Sequence, residues 1–378
     1  MIWTILIIVL WLLAEGAVPK INRNILFQDQ IPKISLICRW GLILTLTLMV
    51  GFWGIVAEDH EEYVIFYHSL SGYRLSDLIG NVTVLLTKQA TGMELGYNII
   101  NVIGHYLNLK APLFLTLIAL FVNICVVKFI YDYSHPVLSL FLLLSTNFFL
   151  MEANLVRQML AMAIFLISIK PLLEGKWKYF LILIFVAALF HTSAIILGVF
   201  IIFLFPKTDK LQNIALIALI TTWIVSILIM FGFVSINFLS LFSDSAYSIY
   251  ATGNNSIGME ASPFNIAVHN LIVIALLFCF KSFKVNLRLV YYAVIIATTS
   301  LFNMSYNFVN ILRFTSYFDV VFYVFTIYIF QKSEKWKTGQ QSIPIIFLQI
   351  YCGLRIFMTF ILEDNIFGSE SYLLADFF

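Results

Sequence analysis

Long apolar runs, broken by short polar turns, occupy most of this chain. Runs of membrane length fall near 2–15, 36–56, 112–131, 136–151, 154–170, 178–205, 213–232, 264–280, 288–302, 309–330 and 342–361. The pattern predicts an all-α polytopic membrane protein of about 12 helices. Several runs are short, so tilted, broken or re-entrant helices are expected. The N-terminal run has neither a basic leader nor a small-residue cleavage site, and reads as a retained helix.

The long run 178–205 is resolved by charge. If it forms two short helices meeting near His191, the segments 15–39, 128–135, 170–178, 206–212, 281–288 and 331–341 share one side of the membrane. Those six hold 16 of the 22 Lys and Arg. A single helix would instead put the Lys-free loop 233–263 inside and the basic 281–288 outside. The positive-inside rule favours the split. Both termini are then outside, as are two long loops, 57–111 and 233–263. The first carries LSDLIGNVTVLLTK and YNIINVIGHYLN, spaced as amphipathic helices that lie along the membrane surface. The second is rich in Gly, Asn and Ser. No soluble stretch is long enough for a separate core, so residues 1–378 read as one integral membrane domain.

Composition agrees. Hydrophobic residues are 61% of the chain and charged residues 11%, against about 25% charged in soluble domains. A net charge of +2 offers nothing to a nucleic acid. Cys38, Cys125, Cys279 and Cys352 stand singly in apolar stretches and read as small packing residues. His60 and His68 have no specific metal spacing, and neither a metal nor a cofactor is expected.

On this topology the unusual polar residues gather at the outer face. Titratable groups within hydrocarbon-length sequence are costly and mark substrate or ion pathways. The segment from Glu152 to Ser193 holds two of them, Arg157 with Gln158 beside it, and His191. Packing is the plainer alternative: Arg157 snorkelling to an interface, His191 bonding a carbonyl. Arg is a bidentate phosphate binder, so Arg157 and Arg313 suit a pyrophosphate that must depart as a leaving group. Asp59, in the cluster EDHEEY, could act on a sugar hydroxyl as base or hydrogen-bond acceptor, or belong to a solvated acidic loop. Asp319 could pair with another charge inside the bundle. No phosphate-cradling glycine loop, GxSxG or HExxH occurs.

Four short motifs appear in order: D-x-x-x-Y at Asp59–Tyr63, E-x-G-Y at Glu94–Tyr97, N-x-x-R-Q at Asn154–Gln158 and F-H-T-S at Phe190–Ser193. In order, spacing and membrane setting the chain resembles the EpsG family of bacterial membrane proteins, related to Wzy-type polymerases of O-antigen and capsule. Leu95 departs from the E-P-G common in that family, which loosens the turn and keeps the carboxylate. The resemblance implies a GT-C-like helical bundle in the bacterial cytoplasmic membrane. It implies a glycosyltransferase that polymerises undecaprenyl-pyrophosphate-linked oligosaccharides at the outer face. Its partners would be those lipid-linked glycans, the bilayer, a flippase and a chain-length regulator. Arg157 and Arg313 would hold pyrophosphate, and Asp59, Glu94 and His191 would act on the acceptor in roles that can be permuted. Tyr63, Tyr97, Asn154, Gln158 and Ser193 would support them. A glycan ligase with the same donor, a flippase or exporter, and a membrane acyltransferase are the other readings.

Overall fold

The computed structural model describes residues 33–53, 59–73, 93–134, 136–145 and 148–204, the helix 309–332, and isolated positions elsewhere. Among these residues every regular element is a helix. Inside hydrocarbon the backbone has no water to bond, and a helix satisfies its N–H and C=O groups within one segment. The elements are α1 (Lys33–Trp53), α2 (His60–Ser69), α3 (Leu95–Tyr106), α4 (Ala111–Tyr133), α5 (Pro136–Ser145), α6 (Phe148–Asn154), α7 (Val156–Leu173), α8 (Trp177–Phe190), a 3₁₀ helix (Thr192–Leu204) and α9 (Val309–Lys332).

Helices α4 and α7 are long and apolar enough to cross a membrane, and shorter apolar stretches lie at Ser35–Gly51, Pro136–Ser145, Trp177–Phe190 and Tyr317–Tyr328. The 14 residues of α8 rise only about 21 Å, short of the roughly 30 Å hydrocarbon core. Its end is abrupt. His191 takes an extended conformation (φ −152°, ψ 113°), and the chain resumes as the 3₁₀ helix. The run 178–205 is thus interrupted at His191, near which two short helices are expected to meet.

The chain falls into two compact units, residues 1–198 with 323–378, and residues 199–322. In the first, α7 packs against both α4 and α8, and α1 packs against α4 and α6. Met159, Ala161, Met162, Ala163, Phe165 and Ile169 are essentially inaccessible, as befits a helix apolar all round. Lipid tails are as apolar as leucine, so membrane helices gain little from mutual burial and associate through close van der Waals contact. Ala161 and Ala163 permit that approach on α7. Its hairpin with α8 turns at Gly175, whose φ of +74° suits a residue without Cβ.

The amphipathic segment expected at 97–108 is α3, with Gly96, Tyr97, Asn98, Asn101, Val102 and Gly104 on its buried face. The segment at 75–88 and the loop 233–263 lie outside the described residues. Short α2 is pinned in place at its C-terminal end. The Tyr67 hydroxyl donates to the Leu109 carbonyl (2.7 Å), His105 Nε2 donates to the Tyr67 carbonyl (2.6 Å), and the two rings stack with centroids 4.0 Å apart.

In the second unit, Asn270 and Asn303 exchange amide hydrogen bonds of 2.6 and 3.3 Å, and Asn303 also donates to Thr222 (3.3 Å). His269 lies 3.4 Å from the Thr299 hydroxyl and stacks on Phe322. Such side-chain bonds fix the faces that membrane helices present to one another.

Because Ala163 fills its space completely, Ala163→Leu should overpack α7. We expect a loss of about 1–3 kcal/mol, read as a lowered thermal unfolding midpoint of the detergent-solubilised protein.

Candidate functional site

The candidate site assembles where three helices begin. Glu94 immediately precedes α3 in extended conformation (φ −69°, ψ 151°) and does not cap its own helix. Its carboxylate reaches across to two other helix starts. One oxygen, Oε2, accepts from Arg157 Nη1 at 2.5 Å, where Arg157 is the second residue of α7. The other, Oε1, accepts from the backbone N–H and the hydroxyl of Thr192, both at 3.3 Å, at the start of the 3₁₀ helix. His191 Nδ1 also lies 3.3 Å from Oε1. Helix N-termini carry partial positive charge from unpaired N–H groups, so this is a favourable place for an anion.

Local chain breaks aim these side chains. Leu155 (φ −111°, ψ 41°) separates α6 from α7, so the N-x-x-R-Q motif straddles a corner and Arg157 projects from the first turn of a new helix. The start of α3 presses against the end of α8. A Cβ on Gly96 would stand 2.8 Å from the Leu189 carbonyl oxygen, so only glycine allows Glu94 so close to His191.

Burial strengthens the pair. The Glu94 side chain is 4% exposed and that of Arg157 22%, and ion pairs gain strength as water is excluded. Arg157 also hydrogen-bonds the buried Tyr63. Burial pushes the Tyr63 hydroxyl above its usual pKa, and Arg157 opposes that rise. Burial raises Tyr97 as well. The Tyr97 ring packs edge-on against Tyr63 and stacks on Phe66, both at 5.8 Å between centroids. The aromatic face of α2 therefore covers the Arg157–Glu94 pair. Arg157 Nε is buried with no hydrogen-bond partner.

Of the residues singled out by sequence, Glu94, Arg157, His191, Tyr63 and Tyr97 come together. Asp59 stands at the head of α2, close enough for its charge to act on Tyr63. Gln158 is buried beside Arg157 on α7, and Asn154 at the end of α6 keeps a buried Oδ1 without a partner. Ser193 is half-buried after Thr192. The Arg313 side chain lies outside the described residues. Among the described residues no cluster of His, Cys, Asp and Glu could hold a metal. Sequence reading missed Thr192, whose contribution is partly a backbone N–H at a helix start, and such a donor leaves no mark on residue type.

The sequence model of the EpsG family matches residues 36–372. The chain belongs to the EpsG family. This is a family of Wzy-like polysaccharide polymerases and glycosyltransferases, and membership makes the chain a polymerase-like membrane protein of polysaccharide biosynthesis. No curated protein and no solved structure matches it. Within this EpsG-family chain the matched region contains the whole cluster around Glu94.

Removing one member of a buried ion pair strands the other charge. Glu94→Ala should therefore cost about 3–5 kcal/mol in unfolding experiments on the solubilised protein. Glu94→Gln, which keeps an acceptor for Thr192, should cost less. Equal losses would show that the bonds to Thr192 contribute little and that the charge pairing with Arg157 carries the cost.

Proposed function

We propose that this chain is a membrane glycosyltransferase that polymerises undecaprenyl-pyrophosphate-linked oligosaccharide repeat units at the outer face of the cytoplasmic membrane. The reading is supported chiefly by Arg157, a positioned guanidinium at the convergence of three helix starts, half-covered by tyrosines. The reaction breaks the bond between an anomeric carbon and pyrophosphate and forms a bond to an acceptor hydroxyl. Negative charge grows on the departing pyrophosphate, and preorganised N–H donors aimed at it lower the barrier. Arg157 supplies a permanent positive charge on a side chain 22% exposed, and the neighbouring helix starts add to the field.

Glu94 acts here by holding. Both of its oxygens are engaged, by Arg157 and by Thr192, and it fixes the guanidinium plane rather than taking a proton. His191, 18% exposed and beside Glu94, donates a hydrogen bond to the pyrophosphate or the acceptor. Arg313 would bind the second pyrophosphate. The family membership supports the polymerase class; the lipid-linked donor and the outward orientation rest on the charge distribution and the chemistry of Arg157.

Glycans of a strain lacking this gene test the reading. Single repeat units persisting on lipid carrier, without long chains, are expected. Long chains left on undecaprenyl pyrophosphate would indicate a ligase, and repeat units trapped at the cytoplasmic face a flippase. Complementation with Arg157→Ala should lower polymer synthesis by about 100-fold or more at normal protein level. Arg157→Lys should be severely impaired too, because a point charge does not replace a fork of donors.

Orientation is tested separately. In a cysteine-free background, Asn254→Cys should react with an impermeant thiol reagent in intact cells, and Lys335→Cys only after lysis. The reverse pattern would overturn the split at His191.

A further inference from the structure

The site around Glu94 leaves one chemical requirement unmet. An acceptor hydroxyl that forms a glycosidic bond must give up its proton, and both oxygens of Glu94 already accept hydrogen bonds. A second buried carboxylate lies one helix start away. Glu152, on α6, is 2% exposed. Its Oε1 accepts from Asn123 Nδ2 at 3.0 Å, and Asn123 is itself tied to the Ala119 carbonyl (2.9 Å). Its Oε2 is buried with no partner, as is Asn123 Oδ1. A carboxylate so placed is costly unless a donor visits it.

Glu152 also lines a pocket. The walls come from α1 (Val50, Gly51), α4 (Leu115, Ile118, Ala119, Val122) and the start of α7 (Val156, Met159), with His60 of α2 beside them. The free space suits a hydroxyl-sized group rather than a sugar ring. Apart from Glu152, His60 is the titratable group among the lining residues, and burial lowers its pKa, favouring the neutral imidazole. The contributions of α1, α4 and α7 are apolar.

This pocket and the Arg157 cluster share two walls. Val156 lines the pocket and Arg157 is the next residue. His60 lines the pocket while Tyr63, three residues on along the same helix face, hydrogen-bonds Arg157.

We propose that Glu152 is the proton acceptor of the transfer reaction and that its pocket receives the reacting hydroxyl of the acceptor sugar. The inference rests on the polymerase reading above. In the step, the acceptor O–H proton passes to Glu152 Oε2 and the freed oxygen lone pair bonds the donor's anomeric carbon. The bond from that carbon to pyrophosphate breaks, and its electron pair leaves with the pyrophosphate held at Arg157. Glu152, now a neutral acid, returns its proton to solvent before the next turnover. Asn123 holds Oε1 throughout and leaves Oε2 as the reactive oxygen.

The test uses the full-length protein in native membranes, supplied with lipid-linked repeat units purified from the strain lacking the gene. Glu152→Gln keeps the shape and the bond to Asn123 but cannot take a proton. We expect elongation to fall about 100-fold or more, with the acidic limb of the pH–rate profile lost. Glu152→Asp should keep an acidic limb, displaced from that of the wild type, with reduced rate. Near-normal elongation by Glu152→Gln with an unchanged pH profile would overturn the proposal and leave Glu152 a tether for Asn123. If Glu152→Gln fails to accumulate, Glu152→Asp decides: a displaced acidic limb supports the proposal, and a limb identical to wild type overturns it. Failure of the wild-type protein to elongate these units would instead reject the polymerase reading itself.

Discussion

The buried pair between Arg157 and Glu94 is the contact on which the rest of the site depends. It joins residues 63 positions apart and draws the starts of α3, α7 and the 3₁₀ helix to one point. Neither charge is stable there alone, since burial penalises each more than packing compensates. Tyr63 shields the pair from one side. Thr192 and His191 close the other, which requires α8 to stop at Phe190 rather than run on through 178–205.

That constraint explains why the chain breaks where it does. Had α8 continued, the amide of Thr192 would point back along its own helix. It would then bond a carbonyl instead of Glu94. The extended conformation at His191 frees that N–H and turns the imidazole toward the carboxylate. In the same way the corner at Leu155 starts a new helix at Val156, which brings Arg157 into a first turn, where the helix start carries partial positive charge. Two interruptions that would weaken an ordinary membrane helix become the means of gathering charge at one point. The close contact of Gly96 on Leu189 completes the geometry.

The two carboxylates differ in the company they keep. Glu94 accepts hydrogen bonds on both oxygens, from Arg157 and from Thr192. Glu152 has one donor, an apolar pocket and an idle oxygen. On the proposal above, the first carboxyl holds the guanidinium and the second takes the proton. The separation arises from packing, since both are plain glutamates in the sequence.

Much was legible beforehand. Apolar runs marked α1, α4, α7, α8 and α9, because a helix is the cheapest way to bury a backbone in hydrocarbon. Lys and Arg counts favoured a break in 178–205 over a single helix, and order and spacing of short motifs pointed to the EpsG family. Arg157 and His191 stood out because ionisable groups are rare in such sequence, and Glu94 because it opens the E-x-G-Y motif. What hydropathy could not reveal was who meets whom. The partnership of Glu94 with Arg157, the Thr192 amide, the tyrosine cover and the idle oxygen of Glu152 depend on helix rotation and on contacts between distant segments. A one-dimensional pattern sets which residues enter the membrane; only the packed helices decide which of their polar atoms find a partner.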